Sequence, residues 1–199
     1  MGLVRRNAPP PEETAAPPSI DTLMSQLDDP DPDCRREAAL GLGGADEAVP
    51  ALLSRVAGEA EPAVRDAMLT TLAAHDTAAV AEGLAVHLAT DDAGLRTAAA
   101  EALATMPVAV PAIVPRLLAD PDHDVRVMTA MVLADLPHPG SQTWLAQMIA
   151  EDEHPNVVTA AIDALLPSLG PEHHDLLRAA VERFPEDPFL RFTVEAALR

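Results

Sequence analysis

The sequence predicts an all-α fold: a right-handed α-solenoid of about six stacked helix pairs. Three observations carry that expectation. A Leu returns every 30 to 33 residues, at Leu42, Leu72, Leu103, Leu133, Leu165 and Leu198. Seven places before each Leu stands the second member of an apolar-Arg pair: Cys34-Arg35, Val64-Arg65, Leu95-Arg96, Val125-Arg126, Val157-Val158 and Leu190-Arg191. No strand-like alternation of useful length interrupts the pattern, and the residue supply is rich in Ala and Leu with 2% aromatics.

The second helix of each repeat follows from that spacing. The apolar residue before the Arg, the small residues three and four places after it, and the Leu seven after it share one stripe of a 3.6-residue helix. Ahead of each such helix lies an acidic turn, at residues 28–33, 58–62, 90–93, 120–124, 151–155 and 185–188; all but the third carry Pro. Pro presets the first helical turn without wasting an amide, and acidic side chains cap free N–H groups at the positive end of a helix. Before each turn an apolar segment of helical period forms the first helix, over 20–27, 49–56, 80–88, 110–118, 144–149 and 176–181. Breakers at 41–44, 106–107, 137–140 and 170–171 separate repeats. One helix pair cannot bury its apolar stripe alone, so neighbours must stack into a shared core.

The pattern Asp-Pro-Asp-x-apolar-Arg-x-x-Ala-Ala-x-x-Leu, clearest from Asp31 to Leu42 and from Asp122 to Leu133, resembles a HEAT repeat, in particular the short type of bilin-lyase-like proteins. The resemblance covers residues 19–199 and implies a fold rather than an activity, because such repeats serve unrelated partners. Val158 departs from it where other repeats carry Arg, and Phe189 where an acidic or amide residue stands in the first, fourth and fifth. Residues 1–18 are too rich in Pro for helix or core and are expected to form a disordered tail.

Composition narrows the function. A formal charge of −19 and the lack of Tyr and Lys argue against nucleic acid, which needs basic surface and stacking platforms. No secretory signal or membrane-length apolar run is visible, so a cytoplasmic location is expected. Nucleophile elbows, phosphate-cradling glycine loops and His-Glu-x-x-His are absent from the sequence, so no enzyme activity, cofactor or metal is expected. Cys34 reads as a small buried apolar residue. His123 and His154 lie in turns that neighbouring helices should hold about 10 Å apart, too far to meet.

The arginines Arg35, Arg65, Arg96, Arg126 and Arg191 are expected to form a structural ladder with the acidic turns, since a planar guanidinium suits bidentate pairing with carboxylates. The positions one and five after the Arg should face away from the core, on the side that the second helices of such solenoids present as concave. The candidate partner-binding residues there are Thr97, Glu101, Val127, Met131, Thr159 and Asp163, with Met128 beside them: an apolar patch with an acidic border. Phe184, Phe189 and Phe192 should cap the open end of the core; alternatively Phe192, on the exposed face, joins a dimer contact. The expected role is a non-enzymatic scaffold for a protein partner with a basic patch, itself a monomer or weak dimer; the resemblance implies an alternative, assistance in attaching a tetrapyrrole chromophore.

Overall fold

The computed structural model describes residues 17–198, all helix, turn and link. The disordered-tail expectation falls largely on residues outside that range; Pro17 and Pro18 are exposed and lie outside any helix. Six helix pairs follow one another: α1 (Ile20–Gln26) with α2 (Pro32–Gly41), α3 (Val49–Val56) with α4 (Pro62–Ala73), and α5 (Ala78–Ala85) with α6 (Ala93–Ala104). They continue as α7 (Val110–Leu118) with α8 (His123–Asp135), α9 (Ser141–Glu151) with α10 (Pro155–Leu165), and α11 (His174–Arg183) with α12 (Pro188–Ala197). Short 3-10 segments at Asp46–Ala48, Val86–Ala89, Leu166–Ser168 and Pro171–His173 complete the links.

Each helix pairs with its partner in the repeat, and second helices pack on second helices from α2 to α12 in an unbroken row. The outcome is an α-solenoid. Its core runs from Leu23 to Val194 as one cluster. Five of the recurring leucines are buried, and Leu198, in the last repeat, is half-buried against the cluster. First helices approach one another closely too: a Cβ on Gly83 of α5 would lie 2.8 Å from the Leu53 side chain on α3, so a larger residue there would make Leu53 shift.

The acidic turns start the second helices by direct capping. Asp31, Asp92, Asp122 and Asp187 accept N–H bonds in the first turns of α2, α6, α8 and α12, and His154 takes that role for α10. Pro32, Pro62, Pro155 and Pro188 occupy the first helical position, where no amide partner is lost. The third turn manages without Pro because Asp92 accepts from Leu95 N–H at 3.0 Å. One cap joins separate repeats: Asp76, in the left-handed region at φ 41°, accepts from Val108 and Ala109 N–H just before α7. Asp tolerates that backbone better than most residues.

Cys34 departs from expectation. It is half-buried rather than buried, because α1, the helix beside it, is only seven residues long. Desolvation, reinforced by Asp29, pushes its thiol above the ordinary value.

Candidate functional site

Two edges of the stack hold the candidate residues. At the turn edge, Arg35, Arg65, Arg96, Arg126 and Arg191 each donate to the carbonyl oxygen six residues earlier, on Asp29, Glu59, Thr90, Asp120 and Pro185 respectively. That bond ties the start of the second helix to its own turn. Two of the five also grip a carboxylate of the next repeat through two nitrogens. Arg35 donates through Nε and Nη2 to both Glu59 carboxylate oxygens at 2.9 Å. Arg126 holds Asp152 in the same way, at 2.7 and 3.1 Å. Both pairs are largely buried, and each raises its Arg further above its ordinary pKa while Arg35 lowers that of Glu59.

Glu59 and Asp152 occupy the turn position six places before the next apolar-Arg site. Their carboxylates also accept the N–H two residues on, from Glu61 and His154. In the third repeat that position is Thr90, so Arg65 finds only Asp92 at 3.4 Å and its buried Nε has no acceptor. The sequence expectation of a continuous Arg–carboxylate spine is corrected here: among the described residues Arg96 and Arg191 have no carboxylate partner, and the carbonyl bonds are what recur.

The fifth repeat, which lacks the Arg, shows why the carbonyl matters. Val158 is fully buried in α10, and Asp152 O, the counterpart of the other five carbonyls, is taken by Arg183 from α11. Arg183 also binds the carbonyls of Ile149 and Ala150. Its guanidinium lies 5.1 Å from the Phe184 ring. A neighbour's arginine thus fills the gap that sequence periodicity marked as irregular.

His123 and His154 are not kept apart. Their rings stack with centroids 3.9 Å apart, because both side chains start at the beginnings of adjacent second helices and lean across the gap. His154 Nδ1 is occupied as the cap of Asn156 N–H. Among the described residues no group of three or more His, Cys, Asp or Glu is placed to hold a metal ion.

The other edge is the outward face of the second helices. Of the residues expected there, Thr97, Glu101, Met131 and Asp163 are exposed. Three are not. Met128 is 7% exposed and belongs to the core, Val127 is half-buried against that core, and Thr159 is 6% exposed. Thr159 is covered because α10 is packed between α8, α9 and α12, where a short β-branched side chain does not clear its neighbours. The apolar patch of the fourth repeat therefore shrinks to Met131, 44% exposed.

Shallow grooves run between consecutive second helices on this face. One of about 280 Å3 lies between Arg36, Leu40, Asp66 and Thr70. A second, of about 530 Å3, has an alanine floor at Ala73, Ala98 and Ala102 with Asp66 and Glu101 on its walls. A third, of about 310 Å3, lies at the C-terminal end between α10 and α12 and is lined by Asp163, Leu166, Phe189, Phe192, Thr193, Ala196 and Ala197. Of the three phenylalanines only Phe184 packs on the core as expected; Phe189 and Phe192 are 63% and 65% exposed and do not. Leu190 and Val194, on the opposite stripe of α12, close that end instead. Desolvation beside the groove raises the Asp163 carboxyl above its ordinary value. Among the described residues, Arg36, Asp66, Glu101 and Asp163 have no ion pair.

The sequence pattern found the outward positions by counting from the Arg, but it missed Leu166, which follows α10 in a 3-10 turn and lies off that register.

A match to a known family agrees with the architecture. The HEAT repeats family matches residues 20–104 and 110–199. A relative from Pseudanabaena tenuis (strain PCC 7409), named an uncharacterized phycocyanin operon protein Z, is 25% identical over 90% of this chain and 94% of its own. A crystal structure of an engineered protein from the Northeast Structural Genomics Consortium is 19% identical, covering 90% of this chain and 94% of that one with a TM-score of 0.37. With the family matched over nearly its whole length, the chain belongs to the HEAT-repeat proteins.

Proposed function

We propose that this chain is a non-enzymatic scaffold that holds a segment of a protein partner along the outward, acidic face of its second helices. One observation carries the reading: Asp66, Glu101 and Asp163 stand unpaired beside grooves on that face, while the arginines of the turn edge are engaged within the fold. Charges held in place with no internal partner are suited to steer and orient a basic partner. The formal charge of −19 adds a long-range attraction for such a surface. Capture from the native organism with the intact chain, in parallel with Glu101→Arg and Met131→Glu, tests it. A partner recovered by the intact chain and lost with both variants supports the reading; equal recovery by all three refutes it.

A second reading has one observation in its favour, the phycocyanin operon relative, together with the resemblance to bilin-lyase-like repeats. It assigns the chain a part in attaching a tetrapyrrole. A groove for propionates needs cations, and the second-helix grooves offer Arg36 beside Asp66. Titrating a bilin into the pure protein distinguishes the two: a saturable absorbance shift, lost with Arg36→Ala, favours the tetrapyrrole role.

A further inference from the structure

Three large apolar side chains that the fold leaves in water meet at one place. Leu166, Phe189 and Phe192 flank the C-terminal groove, with Leu166 43% exposed, and Thr193 and Ala196 form its lining between them. None is needed to close the core, which Leu190, Val194 and Phe184 already cover. Covering apolar side chains is favourable roughly in proportion to the area removed from water, so the groove holds an unrealised gain.

Its wall carries one charged group, Asp163, which has no cationic partner among the described residues. An occupant that covered Asp163 without pairing it would strand a carboxylate in apolar surroundings, a cost that selects against neutral and acidic ligands. A second copy of this chain is a poor occupant on the same ground, since each copy carries a formal charge of −19. We infer that the α10–α12 groove is a docking site for a protein segment that inserts an apolar side chain between Phe189, Phe192 and Leu166 and pairs an adjacent Arg or Lys with Asp163. The inference rests on the scaffold reading and gives that scaffold an anchor point. The other grooves of the face differ in kind: the Asp66–Glu101 groove has an alanine floor and no exposed ring, so it can hold charge but offers little apolar grip.

The test is selection of random twelve-residue peptides displayed on phage against the full chain. Enriched peptides are then synthesised and their affinity measured on the intact protein, Phe192→Asp, Asp163→Asn and Glu101→Arg. Phe192 and Asp163 both lie at the surface, and unchanged circular dichroism confirms that each variant folds. The expected peptides carry Arg or Lys next to Leu, Phe or Trp. Loss of a central apolar anchor should weaken them about thirtyfold with Phe192→Asp, and loss of the charge partner about tenfold with Asp163→Asn. Replacing the peptide cation by Gln should abolish the difference between intact protein and Asp163→Asn. Enrichment of peptides without cations, or binding to Phe192→Asp and Asp163→Asn as tight as to the intact protein, overturns the groove assignment. If Glu101→Arg alone weakens them, the scaffold reading stands and the anchor falls; if no peptide is enriched on any face, both fall.

Discussion

At the turn edge Arg35 and Arg126 are each held by a carbonyl of their own repeat and both oxygens of a carboxylate in the next. On the second-helix face Asp66, Glu101 and Asp163 have no ion pair among the described residues, and Met131, Phe189 and Phe192 are left in water. Both edges arise from the same helices, a few residues apart. The difference teaches how a repeat protein separates stability from recognition: the arginine one place after the inward apolar residue is consumed in tying the helix to its turn and, at Arg35 and Arg126, in joining repeats, whereas Asp66, Glu101 and Asp163, one or five places after that position, are left for something else to meet.

Substitutions at the turn edge should therefore cost stability in proportion to how completely each rung is made. Arg126→Ala leaves the largely buried Asp152 carboxylate unpaired and should cost about 3 kcal/mol in urea unfolding, the largest effect. Arg96→Ala removes a charged donor from Thr90 O with no carboxylate involved, and about 1.5 kcal/mol should be lost in the same measurement. Arg183→Ala, at a more exposed site, should cost about 1 kcal/mol in the same measurement, because the Asp152 carbonyl loses its charged donor. Smallest and opposite in sign, Thr90→Glu should raise the melting temperature by giving Arg65 the bidentate partner that Glu59 gives Arg35, a gain of about 0.5 kcal/mol. A melt unchanged by Thr90→Glu would mean that the orphaned Arg65 Nε is not a defect.

Much of this was legible in the sequence because it depends on spacing along one helix. The apolar-Arg pair and the Leu seven places on gave the second helices and their buried stripe, and the Pro-bearing turns gave their starts. What was not legible depends on distances between repeats. Nothing local to Val158 announces that Arg183, 25 residues later, will bind the carbonyl its own repeat leaves open. The stacking of His123 on His154 likewise needs the actual gap between two turns, which a nominal helix spacing overestimated once both side chains leaned inward. Thr159 and Val127 obey the outward register yet are covered, because exposure depends on how tightly α8, α10 and α12 approach one another. Asp76, capping Val108 and Ala109 across a repeat, carries no signal at all beyond its own identity.

The division between the two edges is tested most directly by urea unfolding of Met131→Glu beside Arg126→Ala. Met131 lies on the face with no internal task, so its replacement by a charge should shift stability by less than about 0.5 kcal/mol, against about 3 kcal/mol for the arginine. A Met131→Glu loss as large as that of Arg126→Ala would show that the face is part of what holds the repeats together, and the separation of joining edge from binding face would not stand.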